Sequence, residues 1–160
     1  MTNFEKKPLA APPELPASIK ALFQYKKGSL EPLKDAAAKA FLQGKPTKEG
    51  TVRPTLDRER FASYWETPQE AAIAWAIRQI LIETMDRPEE MMVFPDDPMA
   101  LLDFWRGDSL EDVEFIIALE KHFKISIPDA EAENLFLTFT MWEAVRFIQR
   151  KIEEKPAATL

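Results

Sequence analysis

The chain has 160 residues and no cysteine, which excludes a disulfide framework and any thiolate chemistry supplied by the protein itself. A thiol, if the function needs one, must come from a prosthetic group. Long apolar runs are missing too. The longest obvious one, around Ala71 to Ile77, falls far short of the roughly 20 residues that cross a bilayer. The first residues, MTNFEKKPLAAPPELP, break into prolines where a signal peptide requires a continuous apolar stretch. These absences predict a cytoplasmic protein without a membrane span. Positive charge is scarce in the second part of the chain: residues 1–66 carry 12 Lys and Arg against 8 Asp and Glu, whereas residues 67–160 carry 9 against 19. So acidic a half lacks the clustered cations that phosphate backbones demand, which argues against nucleic acid as a ligand and favours basic protein partners.

With 46% hydrophobic and 30% charged residues, the chain can bury one moderate core, enough for one domain and an extension. Most of the 13 prolines fall before residue 69, where Pro12-Pro13, Pro16, Pro46 and Pro54 cut the chain into short pieces. Two of these have helical spacing: Ile19 to Tyr25, and Leu33, Ala37, Ala40 and Phe41 before the stop at Gly44. Helices this short are marginal alone, so they must dock on something or remain mobile. Residues 1–66 are therefore expected to form an N-terminal extension.

From residue 67 the signals become regular. Thr67-Pro68-Gln69-Glu70 is a helix start, and Ile73, Ile77, Ile80 and Leu81 continue as an apolar stripe to about Asp86. A connection follows from Pro88 to Gly107, carrying Phe94, Met99, Leu101, Leu102, Phe104 and Trp105, so apolar that it must lie over the core. A second helix runs from Asp108 or Ser109 to about Phe123, with Leu110, Val113 and Ile117 as expected apolar contacts, Phe115 and Ile116 as further candidates, and Glu111, Asp112 and Glu114 opposite. Ile127-Pro128-Asp129 opens a short third helix to about Asn134. Thr140-Met141-Trp142-Glu143 is a capping box for a fourth, with Met141, Ala144, Val145 and Ile148 facing inward. No alternating strand pattern occurs. The expectation is an all-α fold: a four-helix bundle over residues 67–153 with a long first loop and a short third helix, preceded by the Pro-rich, partly helical extension and followed by a disordered tail at 154–160.

Ser109 admits three readings. As a helix cap, within Ser109-Leu110-Glu111-Asp112, it would contribute about 0.5–2 kcal/mol. As the nucleophile of a Gly-Asp-Ser-Leu hydrolase it would need a histidine base within hydrogen-bond reach. The single histidine, His122, lies thirteen residues along the same expected helix, about 20 Å away at 1.5 Å per residue, and cannot serve. The third reading rests on a longer stretch, GDSLEDVEFIIALEKHFKISIPDAEAENL. The Asp108-Ser109-Leu110 triplet, Glu111, Glu114, Ala118-Leu119-Glu120, Phe123, Ile127-Pro128-Asp129 and Glu131-Ala132-Glu133 together resemble the acyl carrier protein family. More distant similarity extends from about Thr67 to Lys151, and residues 1–60 lie outside it.

That resemblance implies a non-catalytic, monomeric carrier with no metal site. Its 4'-phosphopantetheine is attached to Ser109, with Asp108 and Leu110 completing the motif. A phosphopantetheinyl transferase installs the arm, and acyl-transferring or condensing enzymes of fatty acid or polyketide biosynthesis, bearing basic docking patches, read Glu111, Glu114 and Glu120. Three departures stand out: Gly107 is two residues before the serine, where the family usually has glycine three before it; Lys121-His122-Phe123-Lys124 occupies a stretch that is often acidic; and Phe136-Leu137-Thr138 is inserted before the fourth helix. They keep open a second reading, an unmodified carrier-like interaction module that uses the acidic helix for docking and Ser109 only as a cap.

Overall fold

Helix ends in this chain are written by local hydrogen bonds that the sequence signals anticipate. Thr67 accepts the Glu70 backbone N–H through its hydroxyl at 3.1 Å. Thr140 and Glu143 complete both bonds of a capping box. The computed structural model describes residues 13–26, 40–54, 57–85, 93–99 and 109–154. Within them lie six helices: α1 (Ala17–Lys26), α2 (Arg58–Ala62), α3 (Pro68–Met85), α4 (Ser109–Phe123), α5 (Asp129–Leu137) and α6 (Met141–Glu153). Among the described residues there is no strand, only an isolated antiparallel bridge between Pro98 and Thr140.

Helices α3 to α6 form the expected all-α bundle, with α3 packed against both α4 and α6. The α3 stripe of Ile73, Ile77, Ile80 and Leu81 is buried, as are Met141, Ala144, Val145 and Ile148 on α6. Helix α5 runs to Leu137, beyond the expected end at Asn134. Residues 136 and 137 of the insertion therefore lengthen this helix instead of forming a loop.

The extension contributes to the same core. Ile19 from α1, Phe41 and Leu42 from the helical residues 40–42 just before Gly44, Phe61 from α2 and Trp65 are all buried with the bundle residues. Gly44, at φ 83°, supplies the left-handed residue that ends this turn. Helix α2 was not anticipated: Asp57 caps it by accepting the Arg60 N–H at 2.8 Å, and Phe61 stands edge-on to Trp75 of α3 at 5.1 Å. Arg58 and Arg78 lie over the Trp75 ring at 5.2 and 4.7 Å. Helix α1 is tied in by Glu49, which accepts the Ser18 N–H at 3.0 Å; the Ser18 donors hold the Glu49 carboxyl below its ordinary range. Leu33 and Ala37, and the tail beyond Glu154, lie outside the described residues.

An ion pair inside the core joins extension and bundle. Arg53 and Asp97 are only 4% and 2% exposed. They make a two-pronged contact in which Arg53 Nη1 donates to Asp97 Oδ1 at 3.2 Å while Nη2 meets Oδ2. The guanidinium lies between the rings of Phe41 and Phe94, 5.2 and 4.7 Å from their centroids. Asp97 also accepts the Phe94 N–H at 2.8 Å, and burial pushes its carboxyl above the ordinary range even beside Arg53. The Asp97 carbonyl accepts from the Met141 N–H at 2.7 Å and that of Pro95 from the Trp142 N–H at 2.9 Å, so the loop at 93–99 is fastened to the start of α6. Phe94 and Met99 lie over the core as expected; Leu101, Leu102, Phe104 and Trp105 lie outside the described residues. Removing one member of a buried pair strands the other charge. Arg53→Ala is expected to cost about 3–5 kcal/mol in urea unfolding; a loss below about 1 kcal/mol would show that the pair does not anchor the extension.

Candidate functional site

Ser109 is the first residue of α4, a helix of 15 residues. Backbone N–H groups in the first turn of such a helix have no partner within the helix, and the aligned peptide dipoles place partial positive charge there. This end suits an anion attached to the serine, a phosphodiester in particular. The donor chemistry is backbone, which needs no acidic or basic side chain to be brought in. Asp108 lies outside the described residues, as do the side chains of Ser109, Leu110, Glu111 and Asp112.

Beyond its first turn, α4 buries the further candidate Phe115, together with Leu119, in place of the primary contacts expected from the sequence. Phe115 and Leu119 are the residues buried in the core, whereas Val113 and Ile117, expected there, are 52% and 42% exposed. Helix α4 is apolar on nearly every side, with Val113, Phe115, Ile116, Ile117, Ala118 and Leu119 in one seven-residue stretch. Two phases of burial are compatible with 3.6 residues per turn, and packing against α3 selects the one through Phe115 and Leu119. The clue in the sequence was the charged flank: Glu114 and Lys121 bracket Ile117 and mark its side as the wet one.

The acidic residues proposed for docking divide in two. Glu114 is exposed. Glu120 is half-buried and accepts the Ile127 N–H at 2.9 Å, which fixes the turn between α4 and α5. That turn closes with Lys124 at φ 56° and the Ile125 N–H bonded to the Glu120 carbonyl at 3.1 Å. His122 is exposed at the far end of α4, stacked edge-on against Phe123 at 4.7 Å. Serine and histidine thus stand at opposite ends of one helix, which removes the hydrolase reading. Among the described residues no cluster of three or more His, Asp and Glu could hold a metal ion, and no helix is long and apolar enough to cross a membrane.

The two faces of α4 should respond differently to substitution. Phe115→Ala and Leu119→Ala are each expected to cost about 2–5 kcal/mol. Val113→Ser and Ile117→Ser should each cost less than about 1 kcal/mol. Denaturant unfolding of the four variants checks this, and equal losses across them would contradict the assigned orientation.

Comparison with known proteins points the same way. The chain is 36% identical over 76 residues to the acyl carrier protein of Phenylobacterium zucineum, which covers 48% of this chain and 89% of that one. It is 39% identical over 75 residues to the acyl carrier protein of Buchnera aphidicola, covering 47% of this chain and 86% of the relative. It is also 41% identical over 52 residues to the chloroplastic acyl carrier protein 4 of Arabidopsis thaliana, covering 32% of this chain and 36% of that protein. No family model matches, and no solved structure matches. Similarity along almost the full length of these bacterial relatives, joined to an all-helical bundle with a helix opening at Ser109, establishes that the chain belongs to the acyl carrier protein family.

Proposed function

We propose that this protein carries acyl or related intermediates as thioesters on a 4'-phosphopantetheine arm attached to Ser109. Membership of the family supports the carrier role. The observation that carries the finer reading is the position of Ser109 as the first residue of α4. The arm supplies a terminal thiol, which a chain without cysteine cannot provide. Ser109 holds the arm through an O–P bond from its hydroxyl oxygen, formed as the pyrophosphate P–O bond of coenzyme A breaks; adenosine 3',5'-bisphosphate is the leaving group, and the hydroxyl proton passes to the transferase. The unpartnered first-turn N–H groups of α4 would favour the charge of a phosphodiester attached there. The protein needs no perturbed serine, because the phosphopantetheinyl transferase, with coenzyme A and magnesium, supplies the activation. Its own part is to hold the attachment point at a helix end and to offer enzymes a surface beside it, with Glu111 and Glu114 as acidic contacts for basic docking patches.

Intact mass spectrometry tests the attachment. Incubation with coenzyme A, magnesium and a broad-specificity phosphopantetheinyl transferase should add a single phosphopantetheine to the wild type and none to Ser109→Ala. Absence of an adduct on the wild type across several transferases would favour the alternative, in which Ser109 only caps α4 and the helix serves as an interaction surface.

A further inference from the structure

The exposed side of α4 reverses its charge along its length. Val113 and Ile117, one turn apart, are 52% and 42% exposed, while Phe115 and Leu119 hold the opposite side in the core. Glu114 and Lys121 are both exposed. Seven residues bring a helix back to nearly the same direction, so these two charges lie in line on either side of Ile117, about 10 Å apart along the axis. Toward the serine the sequence is acidic, with Glu111, Asp112 and Glu114. Toward the far end Lys121 and Lys124 are exposed cations, accompanied by His122. Glu120, the carboxylate nearest to them in sequence, is engaged by the Ile127 N–H.

We propose that this face docks a partner protein whose contact surface is itself bipolar: an apolar centre to cover Val113 and Ile117, basic groups on the Ser109 side and acidic groups on the Phe123 side. The inference rests on the carrier reading for the kind of partner, an enzyme that handles the cargo held at Ser109. Charge complementarity carries it. A partner that is basic along the whole helix would set its cations against Lys121 and Lys124, and like charges facing each other across an interface oppose association. Carboxylates at those points turn repulsion into attraction. Lys121 and Lys124 are then specificity residues that turn away uniformly basic enzymes, with the apolar pair as the desolvated centre of the contact.

Binding to an acyltransferase whose carrier-docking face is uniformly basic tests this, measured calorimetrically at low salt on the unmodified protein. The double variant K121E/K124E should bind that enzyme roughly three- to tenfold more tightly than the wild type, and the gain should shrink as salt screens the charges. E114K should weaken binding, and V113S/I117S added to K121E/K124E should reverse the gain. Equal affinities for the wild type and K121E/K124E, including no binding by either, overturn the proposal. Two further results also overturn it. A fall in Tm of more than about 10 °C in V113S/I117S would mean that the face packs within the molecule; self-association of the wild type that V113S/I117S abolishes would mean that a second copy covers it. Failure to load Ser109 would defeat the carrier reading by a separate measurement and leave this binding result standing.

Discussion

The structure turns on a charged contact in its interior. Arg53 comes from the extension and Asp97 from the loop that precedes α4, and each is almost without solvent. Desolvating two ions is costly, and the cost is met only where geometry and further hydrogen bonds are good. Here Asp97 meets two guanidinium nitrogens and one backbone N–H. Arg53 has an aromatic ring on either side, an arrangement that favours a flat, delocalised cation over a lysine. The same aspartate passes the constraint on through its carbonyl to the first N–H of α6. Extension, first loop and last helix are thereby held at one point.

This anchorage changes what the extension is. Residues that lie outside the family resemblance supply Ile19, Phe41, Leu42, Phe61 and Trp65 to the core, so an arm in sequence terms is part of the packing in structural terms. A bundle supported in this way can leave one side of α4 to solvent. Two buried aromatic and aliphatic anchors, Phe115 and Leu119, hold the helix while Val113 and Ile117 stay available.

Much of this was legible in the sequence. Proline after a capping threonine located α3, and a Thr140–Glu143 box located α6, since both signals are local hydrogen bonds that need no tertiary context. The 3.6-residue spacing identified the buried faces of these two helices because polar residues interrupt the other sides. The same rule was ambiguous on α4, where apolar residues occupy most of the circumference and packing against α3 sets the burial phase. The buried pair was invisible for a related reason: Arg53 and Asp97 are 44 residues apart, and nothing local distinguishes either from a surface charge. Glu70 does serve the helix start, accepting the Glu66 N–H at 3.2 Å, but the sequence did not show that it is also almost fully buried and pairs with Arg146 of α6 at 3.0 Å. The site followed the same division. The motif and the helix start single out Ser109 in the sequence, and α4 does begin at that residue; the exposure of Val113 and Ile117 was signalled only by the charged flank of Glu114 and Lys121.

Whether the bundle depends on its extension is read out by thermal unfolding of residues 67–160 alone beside the full chain. The shorter chain loses Phe41, Leu42, Phe61 and Trp65, each large buried apolar side chain being worth about 1.5–3 kcal/mol, and leaves Asp97 buried without its cation. Against a typical total of about 5–15 kcal/mol, the account predicts a broad transition at much lower temperature or none. A cooperative transition at the Tm of the full chain would contradict it.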